Sequence, residues 1–234
     1  MTADPAGAGL LAESLTFSYR RGADVVLDAI THAFPSGGLT VVTGPSGIGK
    51  STLLYVLAQL LRPVSGKVLW NGTDLTVRSD RDRSRWRAST ASFVFQDAML
   101  DLSRTVLDNV CEGAVYAGIP RAEARERGMD LLARFGVDHR ARHRPGEISG
   151  GQAQRVGLCR ALLTEPRVVF GDEPTGNLDH DSRDLVWEAL MDHAAAGAAV
   201  VVATHDETLA AAADHRLVLS PATATVPRGK GDAP

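Results

Sequence analysis

The 234-residue chain is poor in cysteine, in lysine and in aromatic side chains, and it has no long apolar run. Cys111 and Cys159 are its only cysteines. Both fall in apolar, helix-like stretches, which excludes a disulfide framework and reads as buried thiols in a reducing compartment. Lys50, Lys67 and Lys230 are the only lysines. The remaining positive charge is arginine, which fits a GC-rich coding background, so its abundance carries no functional weight. Charge of one sign is also missing. The net charge is −3, with acids and bases mixed along the chain, which argues against a nucleic-acid arm or an acidic tail. No run approaches the ~20 apolar residues of a membrane helix, and no charged-then-apolar leader opens the chain. The expected location is cytoplasmic, and any work at a membrane needs a second chain to supply the span.

The apolar fraction of 44% is ordinary and allows a real core. The length suits one α/β domain with an inserted subdomain. Residues 10–20 (LLAESLTFSYR) and 25–35 (VVLDAITHAFP) read as strands around a polar turn. LTVVTG at 39–44 is a short β-branched run ending in glycine, a buried strand entering a loop. A helix is predicted over 50–61, and a hairpin over 67–75 with Asn71-Gly72 at its turn. SFVFQ at 92–96 is another buried strand. From 97 to about 165 the patterns are helical, with Pro120 suited to a first turn and Gly136 to a helix end. Strands return at 167–173 and 199–205, separated by a helix over 182–196, and 217–221 adds a further strand. Strand, loop, helix, and later strand–helix–strand imply a parallel-sheet core. Residues 10–96 and 166–221 form that core with an antiparallel β part, 97–165 a helical subdomain, and 222–234 a mobile tail.

Ligands of such sheets sit at the carboxyl ends of the strands. Gly44, Gln96, Asp172, Glu173 and His205 all end short strands. GPSGIGKST, residues 44–52, is an ungapped phosphate loop. Gly44 and Gly49, with Pro45, Ser46 and Gly47 between, let backbone N–H groups face a polyphosphate at the positive end of the next helix. Lys50 reaches the β- and γ-phosphates; Ser51, followed by Thr52, offers a hydroxyl to Mg²⁺. RVVFGDE, residues 167–173, supplies the matching carboxylate. Asp172 holds Mg²⁺, and Glu173 polarises the attacking water. Gln96 and His205 are neutral hydrogen-bonding groups at the same edge, within reach of water, metal or phosphate. Tyr19 offers a face for a purine.

A second phosphate-type helix start occurs at 148–155, ISGGQAQR. Ser149 caps the helix, and Gly150 and Gly151 expose backbone N–H groups. It belongs to the helical insert. Either the insert folds onto its own phosphates, or a second copy turned head to tail brings the motif to its neighbour's nucleotide.

Taken together, these residues resemble the ATP-binding subunit of an ABC transporter over roughly 10–220. GPSGIGKST matches the Walker A motif, VVFGDE the Walker B motif and ISGGQ the signature. Gln96 matches the Q-loop, His205 the H-loop, Tyr19 the A-loop and GNLD at 176–179 the D-loop. The resemblance implies a P-loop NTPase fold of RecA type, and a homodimer or paired subunits sandwiching two ATP. Lys50, Ser51, Gln96, Asp172, Glu173 and His205 would serve one ATP. Ser149, Gly151 and Gln152 would serve the partner's, and Asp179 would couple the sites. It also implies a transmembrane permease as partner and a place at the inner face of the cell membrane. PSGIGKSTLL, FVFQD, TVLDNV and DEPTGNLD are similar to the macrolide-export, lipoprotein-release and cell-division type. Gly171, Ile148, Asp101 and Arg104 depart from that pattern; the last two lie near the segment where the family docks its permease.

Two other functions stay open at this level: a soluble ATP-switched protein acting on translation or DNA, and a regulatory module that binds ATP without turning it over. The basic stretches 81–87 and 138–147 read as solvated surface, Trp86 and Trp187 as packing groups. His139 and His143 have helical metal spacing but fit a solvated loop.

Overall fold

The computed structural model describes residues 9–20, 25–176 and 178–220. Part of the turn before 25 and the proposed mobile tail from 222 lie outside these. β-branched runs without alternation make strands covered on both faces, and that is what builds the main sheet. β3 (Gly38–Thr43), β6 (Ala91–Val94), β7 (Val168–Asp172), β8 (Ala199–Ala203) and β9 (His215–Val218) stand in the order β6-β7-β8-β3-β9, every pairing parallel. Successive side chains alternate between two cores. Val42, Val168, Phe170, Val201 and Ala203 face one; Leu39, Val41, Val169, Val200 and Val202 face the other.

The first core is closed by α1 (Lys50–Leu57) and a second sheet. That sheet, β2-β1-β4-β5, is antiparallel: β1 (Gly9–Phe17), β2 (Leu27–Pro35), β4 (Ser65–Trp70) and β5 (Thr73–Asp74). Asn71 and Gly72 both have positive φ (47° and 75°) at the expected hairpin turn, which matches a type I′ connection.

The second core is closed by helices lying between β6 and β7 in sequence, and by α7 (His180–Ala195). α3 (Val106–Val110) and α4 (Glu112–Ala117) meet at Cys111; α5 (Arg121–Arg134) and α6 (Gly150–Leu162) follow. Among the described residues no strand falls between 97 and 165. Pro120 is the residue before α5 rather than inside its first turn, and Gly136 (φ 66°) follows its end.

Several boundaries differ from expectation. α1 stops at Leu57, not 61, because Gln59 takes a left-handed φ of 60° and turns the chain. α2 (Asp80–Thr90) replaces the expected solvated stretch. Ser79 caps it, Trp86 is buried, and Arg83 and Arg87 both donate to the Gln59 carbonyl at 2.6 Å. These two arginines cap the end of α1, so the arginine-rich run is partly structural. α7 starts at His180, and β9 spans His215–Val218 rather than 217–221. The short α8 (Glu207–Ala211), capped by Asp206, had no periodic signal to give it away. Trp187 is buried as expected. Gly171 is where β7 passes Pro174; a Cβ there would lie 3.1 Å from Pro174 Cγ, so the glycine makes room for the following turn.

Candidate active site

In a parallel sheet the carboxyl ends of all strands share one edge, so β3, β6, β7 and β8 deliver their following residues to one place. The phosphate loop follows β3, and Gly49, with φ 106°, is the residue that enters α1. Lys50 curls back over the loop, donating to the Gly44 carbonyl at 2.9 Å and the Pro45 carbonyl at 3.2 Å. A cleft of about 470 Å³ opens beside it, lined by Tyr19, Val26, Ser46, Gly47, Gly49, Lys50, Ser51, Thr52, Gln96, Asp172, Glu173 and His205. All but Val26 are residues the sequence singled out.

Ser51 Oγ donates to Asp172 Oδ1 at 2.8 Å, tying α1 to the end of β7. Tyr55 adds a longer contact from its hydroxyl to Asp172 Oδ2 at 3.4 Å. Tyr55 was missed, although i+4 spacing from Ser51 places it on the same face of α1. Burial pushes the Asp172 carboxyl above its ordinary range, against the Ser51 and Tyr55 hydrogen bonds; Glu173 adds to the rise and Lys50 opposes it. Two carboxylates side by side next to a phosphate loop suit a hard cation.

Glu173 has a left-handed φ of 46°. This is uncommon for a residue with a Cβ. It turns the chain out of β7, so that Asp172 and Glu173 both line the cleft. The Glu173 amide donates to the Ala203 carbonyl at 2.9 Å. Its Oε1 lies 2.9 Å from His205 Nδ1, and its Oε2 is buried with no partner. The carboxylate is mostly buried while the imidazole is exposed. Glu173 lines the cleft beside the phosphate loop, where a carboxylate paired with an imidazole can serve as a proton acceptor.

Tyr19 forms the far wall. Its ring stands edge-on to Phe17 with centroids 5.0 Å apart, and its hydroxyl shares a 2.9 Å hydrogen bond with Thr52 Oγ1. It is 63% exposed, a flat apolar surface fixed at both ends.

Ser149, Gly150, Gly151 and Gln152 do not line this cleft. Ser149 and Gln152 form a reciprocal cap at the start of α6: Ser149 Oγ accepts from the Gln152 amide at 3.3 Å, and Gln152 Oε1 from the Ser149 amide at 3.0 Å. The side chain of Gln152 is therefore engaged at home. Asp179, the cap of α7, takes hydrogen bonds from the amide and hydroxyl of Ser182, which hold its carboxyl below the usual range. A Cβ on Gly151 would lie 3.7 Å from Asp179 Oδ2. The glycine tip and the Asp179 cap are thus neighbours, which no sequence spacing revealed.

The remaining candidates settle as packing. Cys159 is buried, and burial pushes its thiol up to about 12; the half-buried Cys111 is also raised. His143 Nε2 lies 3.2 Å from an Arg140 guanidinium nitrogen, and no group of three or more histidine, cysteine or acidic side chains able to hold a metal occurs among the described residues. No described helix is long and apolar enough to cross a membrane.

A family model described as "ABC transporter" matches residues 27–176. The lipoprotein-releasing system ATP-binding protein LolD of Paramagnetospirillum magneticum is 39% identical over 215 residues, 91% of this chain and 95% of that protein. Among solved structures, the dimeric MJ0796, a bacterial ABC transporter cassette, superposes with a TM-score of 0.83 at 28% identity, covering 90% of this chain and 94% of that one. A dimeric post-hydrolysis state of MJ0796 bound to ADP and Pi gives the same TM-score and coverage.

Proposed function

The chain belongs to the ABC transporter family as an ATP-binding, ATP-hydrolysing subunit, and on that premise we propose how its residues divide the work. Nucleotide occupies the cleft, with its base against Tyr19 and its phosphates along 44–52. Lys50 leaves its carbonyl acceptors for the terminal phosphates. Ser51, Asp172 and Gln96 are hard oxygen donors, and the 2.8 Å contact of the first two gives a pair of ligands suited to Mg²⁺. When bound, the ion neutralises phosphate charge during in-line displacement.

Glu173, which lines the cleft beside the phosphate loop, accepts a proton from the attacking water. His205 holds Glu173 Oε1 through Nδ1; its Nε2 is the ring nitrogen that remains for the γ-phosphate. The pairing of Glu173 with His205 at the cleft is the observation that carries turnover rather than mere binding. Replacing Glu173 by Gln is the test: ATP binding survives and phosphate release nearly stops.

The glycine tip completes the neighbour's site. Ser149 and the amides of Gly150 and Gly151 meet the terminal phosphate of the neighbour's nucleotide, and Asp179 beside them links the two halves. Two copies, or two related subunits, then clamp two ATP between them. The dimeric architecture of MJ0796 supports this arrangement. Residues 10–96 and 166–221 act as the nucleotide-binding core and 97–165 as the helical arm of a single domain.

Opening of the pair after hydrolysis drives a separate transmembrane permease, with this subunit on the cytoplasmic face. The likeness to lipoprotein-releasing subunits supports export or extraction. Co-purification with a membrane chain from detergent-solubilised membranes tests that partner; recovery only as a soluble dimer would reject it.

A further inference from the structure

α6 presents one face, Gln154, Gly157 and Arg160, to the segment leaving β6. These residues are three apart and so share a side of the helix. Gln154 Nε2 donates to the Phe95 carbonyl at 2.8 Å and to the Pro174 carbonyl at 3.0 Å. At Gly157 the helix passes so close that a Cβ would lie 3.3 Å from Ala98 Cβ. Arg160 then grips the next carbonyls with both prongs, Ala98 at 2.7 Å and Met99 at 2.9 Å. Burial lowers its pKa from the ordinary arginine value, with Glu112 acting the other way. Its acceptors are two backbone carbonyls rather than a carboxylate. Desolvating a guanidinium without an ion pair is unfavourable, so the geometry it fixes is where a role is to be found.

That geometry is unusual. Met99 has a left-handed φ of 47°, and Met99 and Leu102 project as large apolar side chains, 66% and 71% exposed. Behind them the buried Asn109 holds both backbone groups of Asp101, accepting from its amide at 2.7 Å and donating to its carbonyl at 3.0 Å. Asp101 in turn accepts from the Ser103 amide at 2.9 Å and pairs with Arg104 at 3.1 Å. An exposed apolar loop is therefore held stiff and bolted to α6, whose opposite end is the Ser149 tip. By helix rise, 13 residues span about 20 Å.

We propose that Arg160 is a positioning residue: its two-pronged grip on Ala98 and Met99 makes the 98–104 loop and α6 one lever, so that force on Met99 and Leu102 reorients the glycine tip. Lysine cannot replace it, because a single ammonium does not match two carbonyls in fixed fork geometry. The consequence for transport rests on the transporter reading above; the clamp itself does not.

The test compares Arg160→Met and Arg160→Lys with the natural chain, in two measurements. Amide hydrogen exchange on the isolated chain reads the clamp. The Asp101, Ser103 and Arg104 amides should exchange faster by about tenfold or more in R160M, and by less in R160K. Phosphate release is then measured alone and with the permease in detergent. Basal release should stay within about twofold, while permease stimulation drops about fivefold or more in R160M and is partly rescued in R160K. Unchanged exchange at 98–104 overturns the clamp. Faster exchange with stimulation intact overturns the lever, and so does basal release falling as far as stimulated release, the mark of general damage. If R160M does not fold, R160K carries the same comparison. A natural chain that no permease stimulates would sink the transporter reading instead, leaving the exchange result to judge the clamp.

Discussion

The cleft at the strand ends and the tip of α6 are both built on glycine-rich helix starts, and they are built in opposite ways. The cleft gathers residues from β3, β6, β7, β8 and α1, and its polar groups hold one another: Ser51 with Asp172, Glu173 with His205, Tyr19 with Thr52. The tip is local. Ser149 and Gln152 satisfy each other within one turn, and Ser149 and Gly150 lie exposed. A site assembled from many separate elements is committed within one chain. A site made of one turn, with its face open to solvent, has chemistry to offer only to a surface brought to it. The contrast is what the proposed pairing needs: one site assembled within the chain and one open face to offer to a neighbour.

The hardest blow falls on the cleft. Glu173→Gln should lower phosphate release by about 10²–10⁴-fold, with ATP affinity within about twofold and ATP-dependent dimers accumulating on gel filtration. An unchanged rate would move the general base elsewhere.

Next comes the tip. Gly151→Asp puts a second carboxylate beside Asp179, where a Cβ has ordinary room, and so turns an anion site against anions. Release should drop about 10²-fold while ATP binding by the single chain is untouched. Mixing this variant with Glu173→Gln sharpens the comparison. A head-to-tail pair then contains one site with both an intact Glu173 and an intact tip, so activity returns in part. If each chain used its own tip, mixing would restore nothing.

A smaller effect belongs to the link between α1 and β7. Ser51→Ala removes the hydroxyl that orients Asp172, and the Mg²⁺ needed for half-maximal release should rise about tenfold. Mn²⁺ binding in the presence of ADP, followed by electron paramagnetic resonance, checks this apart from turnover.

The smallest concerns the body of α6, which is buried where its tip is not. Cys159 stays a thiol up to about 12 in the fold and should resist alkylation at about pH 8 until the protein unfolds. The folded form binds this proton more tightly than the unfolded one. The stability it contributes is therefore full below the ordinary thiol value of 9.0 and is lost as pH rises toward the folded value, by at most about 1.4 kcal/mol per pH unit. Melting temperatures measured on either side of pH 9 should diverge less in Cys159→Ala than in the natural chain.

Much of the cleft was legible in the sequence because the phosphate loop is contiguous and each other contributor ends a β-branched run. Gln96, Asp172 and His205 were found by that rule alone. Val26 escaped because an apolar lining residue carries no chemical mark. Tyr55 escaped although helical spacing from Ser51 could have found it. The early end of α1 escaped for another reason: Gln59 in a left-handed turn is stabilised by Arg83 and Arg87, residues more than twenty positions on. Those arginines were read as solvated for the same reason, since a run of charges gives no sign of which members fold inward. The neighbourhood of Gly151 and Asp179 joins two helix starts from different parts of the chain and had no local signal.

By itself, the sequence determined the order of the strands and of most helices, the phosphate loop, the two carboxylates and the existence of a second glycine-rich helix start, because each depends on side-chain type at fixed local spacing. Tertiary structure alone decided that Glu173 keeps one oxygen free beside His205, that the glycine tip stands apart from its own cleft and against Asp179, and that Arg160 binds an exposed loop to the helix carrying that tip. Those facts depend on which distant segments the two cores press together, and burial across a sheet is a property of the whole packed chain.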